Sequence, residues 1–102
     1  MANEQTRAVD FFAKALQVSP NSTAIMYELA NMQFDQGNSA TVLAVLDRIH
    51  NVEAASPQSL WLALRTERRL GHTAEVESYG SQIQRKFPNS AEATLWLTRS
   101  IN

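Results

Sequence analysis

The chain has 102 residues, of which 44% are hydrophobic and 19% charged, and its formal net charge is −1. This length limits it to one domain with a modest core, and the near-neutral charge argues against a nucleic-acid-binding surface, which is normally basic. The absence of cysteine excludes disulfides, thiolate catalysis and cysteine-ligated zinc, and is compatible with either the cytoplasm or the periplasm. No apolar run approaches the roughly 20 residues of a membrane span.

The N-terminal segment, residues 3–20, is predicted to form one helix that ends at about residue 18. Ala8, Phe12 and Ala15 lie along its apolar side. Pro20 ends the helix, because proline disfavours helical geometry in the residue before it. This pattern is typical of the second helix of a hairpin. Since the outer faces of helical arrays need polar caps, we expect the chain to be a fragment of a longer array.

A complete helical hairpin is predicted over residues 22–54. Its first helix is capped by Asn21 or Ser22 and carries Leu29 on its apolar side. Gly37 ends this helix, since glycine readily takes the left-handed backbone conformation of a helix C-cap. The second helix of the pair then runs towards the end of this segment.

A second complete hairpin is predicted over residues 57–88. Leu64 lies on the apolar side of its first helix, Gly71 ends that helix, and Pro88 ends the helix that follows. A last helix is predicted over residues 90–101. We expect this helix to cap the stack of hairpins.

The two hairpins repeat at a constant offset, which places Gly37 on Gly71 and Ile49 on Ile83. This offset, about 34 residues, is the repeat length of the tetratricopeptide (TPR) family, which the chain resembles. The resemblance implies an all-α single domain of about six helices, in antiparallel hairpins stacked as a right-handed TPR solenoid. The best match to the family's second-helix signature consists of Ala8, Phe12, Ala15 and Pro20.

Gly80 departs from the TPR pattern, which usually has an aromatic residue at this position. Glycine in a helix interior costs about 1 kcal/mol relative to alanine, so a compensating contact is expected. We predict that the bulky side chain of Trp96, in the last helix, approaches Gly80 closely.

The TPR resemblance also implies a binding groove lined by the first helix of each pair. Tyr, Trp and Arg side chains concentrate binding energy at interfaces, so aromatic residues followed by arginines suit peptide recognition. The alternative is that the arginines form a solvated face and the aromatic rings pack between adjacent first helices. The predicted groove residues are Tyr27, Asn31, Phe34, Trp61, Arg65, Arg68 and Arg69, and the last helix would add Glu92, Leu95 and Arg99.

Two other functions find little support in the sequence. The lysine and asparagine set with which some TPR co-chaperones bind a C-terminal carboxylate is missing, because Tyr27 and Trp61 stand where lysine would be needed. Catalysis is disfavoured because His50 lies late in a helix and His72 in a turn, where helix-dipole and turn interactions explain them. We therefore predict a protein that is not an enzyme, with no cofactor and no metal.

Five stretches of the sequence carry features that the general TPR signature does not include. They are YELANMQFDQG at 27–37, Leu-Trp-Leu at 60–62, the arginine-rich run at 65–70, Ser-Tyr-Gly at 78–80 and Phe-Pro-Asn-Ser at 87–90. Together they resemble the C-terminal part of the type IV pilus biogenesis and stability lipoproteins, the pilotins of the secretin. The resemblance covers most of the chain.

This narrower resemblance implies an outer-membrane lipoprotein at the periplasmic face, which binds the secretin subunit and supports its assembly in type IV pilus biogenesis. The partner would be a protein and not nucleic acid, and this soluble segment would not itself contact the membrane. The alternative is a cytoplasmic TPR peptide-recognition module attached to an enzyme or regulatory domain. Self-association through the N-terminal helix is a further expectation, because Phe11 and Phe12 would lack a covering helix.

Overall fold

The computed structural model describes residues 2–101, with side chains for residues 7, 8 and 10–101. No strand occurs in this range, which confirms the all-α prediction. None of the helices described has the length and apolarity needed to cross a bilayer. The helices are α1 (Ala2–Val18), α2 (Thr23–Asp35), α3 (Ser39–Val52), α4 (Pro57–Arg69), α5 (Thr73–Lys86) and α6 (Ala91–Leu97).

The helices form two compact units, which we call the N-terminal unit (residues 1–54) and the C-terminal unit (residues 55–102). In the N-terminal unit, α2 and α3 form a hairpin and α1 packs against α2. In the C-terminal unit, α4 and α5 form the hairpin and α6 packs against both of its helices. Each unit is therefore one hairpin with one flanking helix.

Each unit has an apolar core that follows the helical spacing of its sequence. In the N-terminal unit, Met26 and Ala30 of α2 and Val42 and Leu46 of α3 are fully buried, at one-turn spacings. Full burial of a Met, Val or Leu side chain stabilises the fold by about 1.5–3 kcal/mol relative to leaving it exposed. The core of the C-terminal unit consists of Leu60, Leu64, Val76, Ile83, Ala93 and Trp96.

Serine caps the first helix of each repeat. Ser22, Ser56 and Ser90 occupy the same position in successive repeats, and each side chain accepts a hydrogen bond from the backbone N–H three residues later. Ser56 and Ser59 form a reciprocal capping box, with N–O distances of 2.9 and 3.0 Å. Of the two candidate caps Asn21 and Ser22, the structure selects the serine.

The turn of the first hairpin is a Schellman motif built on Gly37. Gly37 has φ +81°, and its N–H donates to the Phe34 carbonyl at 3.0 Å. The N–H of Asn38 donates to the Gln33 carbonyl at 2.9 Å. The side chains of Asn38 and Gln33 are also hydrogen-bonded to each other, since Asn38 Nδ2 donates to Gln33 Oε1 at 2.6 Å.

The turn of the second hairpin has the same bonds around Gly71. Gly71 has φ +77°, its N–H donates to the Arg68 carbonyl at 3.1 Å, and the His72 N–H donates to the Glu67 carbonyl at 3.0 Å. Again the side chains pair, with His72 Nδ1 lying 2.9 Å from Glu67 Oε1. The two glycines are therefore equivalent corners, as the repeat predicts.

One helix boundary predicted from the sequence needs correction. The last helix was expected to reach residue 101 but ends at Leu97, because Arg99 takes φ +55° and closes the helix. Its N–H donates to the Trp96 carbonyl at 3.0 Å, and the Ser100 N–H donates to the Leu95 carbonyl at 2.8 Å, which makes a third Schellman motif. The first helix ends at Val18, just before Ser19 and Pro20, as the sequence predicts.

Candidate protein-binding surfaces

Helix α2 carries three of the predicted groove residues. Tyr27 and Asn31 are half-buried and lie one turn apart, and Asn31 Nδ2 donates to the Tyr27 carbonyl at 3.1 Å. Phe34 is only 3% exposed. Its assignment to a binding surface was wrong, because its ring packs inside the protein and offers almost no area to a partner.

Helix α4 carries the other four predicted groove residues. Trp61 and Arg65 are half-buried and one turn apart, while Arg68 and Arg69 are exposed near the end of the helix. Trp61 packs against the apolar core of the C-terminal unit, so part of its indole is anchored and part is accessible. The α2 residues and the α4 residues belong to different units, and each helix presents its own stretch of surface.

The two units differ in charge. The N-terminal unit has three Lys and Arg against six Asp and Glu, a formal charge of −3. The C-terminal unit has six Lys and Arg against four Asp and Glu, a formal charge of +2. The net charge of the whole chain is therefore near zero although its C-terminal unit is basic. A basic unit favours acidic partners.

The C-terminal unit contains a cavity of about 190 Å³ at the turn between α4 and α5, under the end of α6. Val76, Trp96 and Ile101 supply its apolar lining. Two arginines, Arg68 and Arg99, also line it. Sequence reasoning placed both arginines among the groove residues, but not in a shared cavity, because the early end of α6 was not foreseen.

Both arginines in this cavity are held in place by neighbouring groups. The Arg68 guanidinium donates to the carbonyl oxygen of Ile101. The Arg99 guanidinium lies 3.5 Å from the centroid of the Trp96 ring and 3.7 Å from a carboxylate oxygen of Glu77. A cation over an indole face is attracted by the ring quadrupole, so Arg99 is oriented before any ligand arrives.

Gly80 determines where Trp96 can lie. A Cβ placed on Gly80 would overlap the six-membered ring of the Trp96 indole, so only glycine lets the ring lie directly on α5. Trp96 is buried there, next to the cavity. The contact predicted from the sequence is present, and it explains why this helix tolerates an internal glycine.

The two histidines lie in different units. His72 is paired with the carboxylate of Glu67, which is 7% exposed, so the pair closes the turn as its counterpart in the first hairpin does. His50 is half-buried in the last turn of α3. Within the part of the chain that the structure describes, no three His, Asp or Glu side chains come together as a candidate metal-binding group.

A second cavity, of about 180 Å³, lies in the N-terminal unit. Its lining mixes polar and apolar groups, and Arg48 is the charged residue among them. It is lined by Pro20, Asn21, Met26, Arg48, Asn51 and Val52.

Antiparallel hairpins of 13- and 14-residue helices, with equivalent glycine turns at the same position of each repeat, define a tetratricopeptide-type helical-repeat fold. A solved structure described as a functional characterisation of PilF from Pseudomonas aeruginosa, a TPR protein of type IV pilus biogenesis, has the same fold, with a TM-score of 0.75 at 20% sequence identity. The alignment covers 96% of this chain and 44% of the PilF chain, so this chain spans less than half of that protein. No protein-family model and no curated protein matches the sequence.

Proposed function

We propose that this chain is a protein-interaction scaffold that acts in type IV pilus biogenesis. The observation that carries the proposal is the structural similarity to PilF over 96% of the chain. The sequence resemblance to pilus biogenesis lipoproteins, which rests on the five short stretches described above, supports the same role. The scaffold acts by holding a partner and performs no chemistry of its own.

The proposed partner is the secretin subunit, and the proposed function is support of its assembly, as in a pilotin. In this proposal the whole protein is a lipoprotein at the periplasmic face of the outer membrane. The segment described here contributes protein contacts only. In this proposal the segment itself does not contact the bilayer.

The proposed binding surface is centred on Trp61 and Arg65 of α4. Both side chains are half-buried, so they are partly ordered yet accessible, and side chains fixed in advance lose less entropy on binding. Arg68 and Arg69 extend this surface along α4, and Tyr27 and Asn31 provide the corresponding surface of α2. Phe34 is left out because of its burial.

Retention of the secretin subunit by the full-length protein tests this proposal. The double variant Trp61→Ala, Arg65→Ala removes two residues of the types that dominate interfaces, and a joint loss of about 2 kcal/mol, roughly thirtyfold in affinity, is expected. Arg85→Ala is the matched control, because Arg85 is an exposed arginine of the same unit on α5. Circular dichroism must show that all variants remain helical.

Three outcomes would contradict parts of the proposal. Undiminished secretin binding by the double variant would place the binding site elsewhere. No retention of the secretin by the unmodified protein would remove the secretin as partner. A gene that joins this segment to a catalytic or regulatory domain, without a signal and lipid-bearing cysteine, would favour a cytoplasmic peptide-recognition module.

A further inference from the structure

The cavity of the C-terminal unit combines an apolar lining with cationic groups. Val76, Trp96 and Ile101 form the apolar part. The volume of about 190 Å³ is many times the roughly 10–15 Å³ that one water molecule requires. This is room for one aliphatic side chain and some of its backbone, but too little for a folded element.

The cationic groups are suited to bind carboxylates. Arg68 already binds a main-chain oxygen, that of Ile101, and a carboxylate would form a stronger, charge-assisted hydrogen bond with the same guanidinium. Arg99 is oriented by Trp96 and lies at 3.7 Å from Glu77, a distance that leaves most of its donors for another acceptor. Glu77 supplies the carboxylate group of the lining.

We propose that this cavity binds an acidic peptide segment of a partner protein, with an aliphatic side chain in the cavity and flanking carboxylates on Arg68 and Arg99. The formal charge of +2 on the C-terminal unit selects for such a segment over a basic one. The site goes beyond the proposed role in pilus assembly. It is centred on the α4–α5 turn and α6, whereas the proposed secretin surface is centred on Trp61 and Arg65.

Titration with short peptides, followed by amide NMR of the whole chain, tests this site. The probe is the hexapeptide Gly-Ser-Asp-Leu-Glu-Ser with both ends blocked, and its control has Asn and Gln in place of the two acids. The acidic peptide should shift the signals of Gly71, Thr73 and the Trp96 indole, with an affinity that falls as salt is added. The control should bind at least about threefold more weakly, as expected for exposed ion pairs.

Three variants separate this site from general attraction to a basic surface. Arg99→Gln should weaken binding of the acidic peptide about threefold, while Arg85→Gln, which removes the same charge from α5, should leave it unchanged. Glu77→Gln should strengthen binding, because it removes the carboxylate that competes for Arg99. Circular dichroism of the free variants must show that the helices are retained.

The proposal is overturned if millimolar acidic peptide leaves the cavity signals unmoved, or if the amide control binds equally well. Equal losses from Arg99→Gln and Arg85→Gln would also overturn it, since they would indicate unspecific charge attraction. A peptide that binds only with a free C-terminus would contradict the internal acidic segment. These variants change Arg99, Glu77 and Arg85, none of which belongs to the proposed secretin surface, so failure of this site and failure of the proposed pilus role can be told apart.

Discussion

The two hairpin turns have the same backbone but different side-chain chemistry. Gln33 and Asn38 close the first turn through neutral amides, whereas Glu67 and His72 close the second through a carboxylate and an imidazole. The main-chain bonds around both glycines are the same. The comparison shows that the repeat fixes the backbone and the need for a closing pair, while the chemistry of the pair is free to vary.

The packing of the second helix of each hairpin differs more strongly. Leu46 of α3 and Gly80 of α5 occupy equivalent positions of the two repeats, and both are buried. In the C-terminal unit the missing side-chain volume is supplied by Trp96 of α6, whose indole lies on the glycine. Packing density is thus retained although the residue that provides it changes.

The largest expected effect comes from removing Trp96. Trp96→Ala should lower the free energy of unfolding by about 3–5 kcal/mol, because it leaves a cavity that backbone relaxation fills only in part. The measurement is chemical denaturation followed by circular dichroism. A loss below about 1 kcal/mol would show that α6 contributes little to the C-terminal unit.

Gly80→Leu places on α5 the residue type that α3 has at the equivalent position, Leu46. It should destabilise the protein by about 1–3 kcal/mol through overpacking. In the Trp96→Ala background the same change should cost much less, because the added side chain occupies the space of the indole. A double-mutant cycle measures this coupling. Additive losses would mean that the two residues do not share one packing site.

The two glycine turns should respond alike to alanine. Gly37→Ala and Gly71→Ala should each cost about 1–2 kcal/mol, because both residues have positive φ and a side chain is strained in that conformation. A new Cβ meets no atom within 4 Å at either position, so the cost is conformational alone. Losses that differ by more than about 1 kcal/mol would break the equivalence of the two corners.

The smallest effects are expected at the serine caps. Ser56→Ala should cost about 1 kcal/mol, since it removes one side of a capping box. Ser22→Ala should cost less, because Ser22 accepts its hydrogen bond at a longer distance, 3.4 Å. Equal losses at both caps would indicate that the difference in hydrogen-bond distance has no energetic effect.

Most of the fold could be predicted from spacing and from residues with a single conformational role. Gly37 and Gly71 marked the corners because few other residues take positive φ, and Gly80 pointed to Trp96 because an unfilled site in a packed helix needs a neighbour. Ser22 was one of two candidate caps, and serine recurs at this position in every repeat. Such features are local, so a sequence displays them directly.

The candidate site was less predictable because it depends on where helices end and which way their faces turn. Arg99 ends α6 in a conformation for which arginine gives no sequence signal. Phe34 was placed on the surface by its position in the repeat, yet it is buried.

Both tryptophans of the chain, Trp61 and Trp96, belong to the C-terminal unit. Intrinsic indole emission therefore monitors that unit alone, whereas the far-ultraviolet dichroic signal averages over all the helices. Melting curves from the two signals coincide only if the whole chain unfolds as one cooperative block. The protein thus carries a native optical label that reveals whether one half can melt while the other persists.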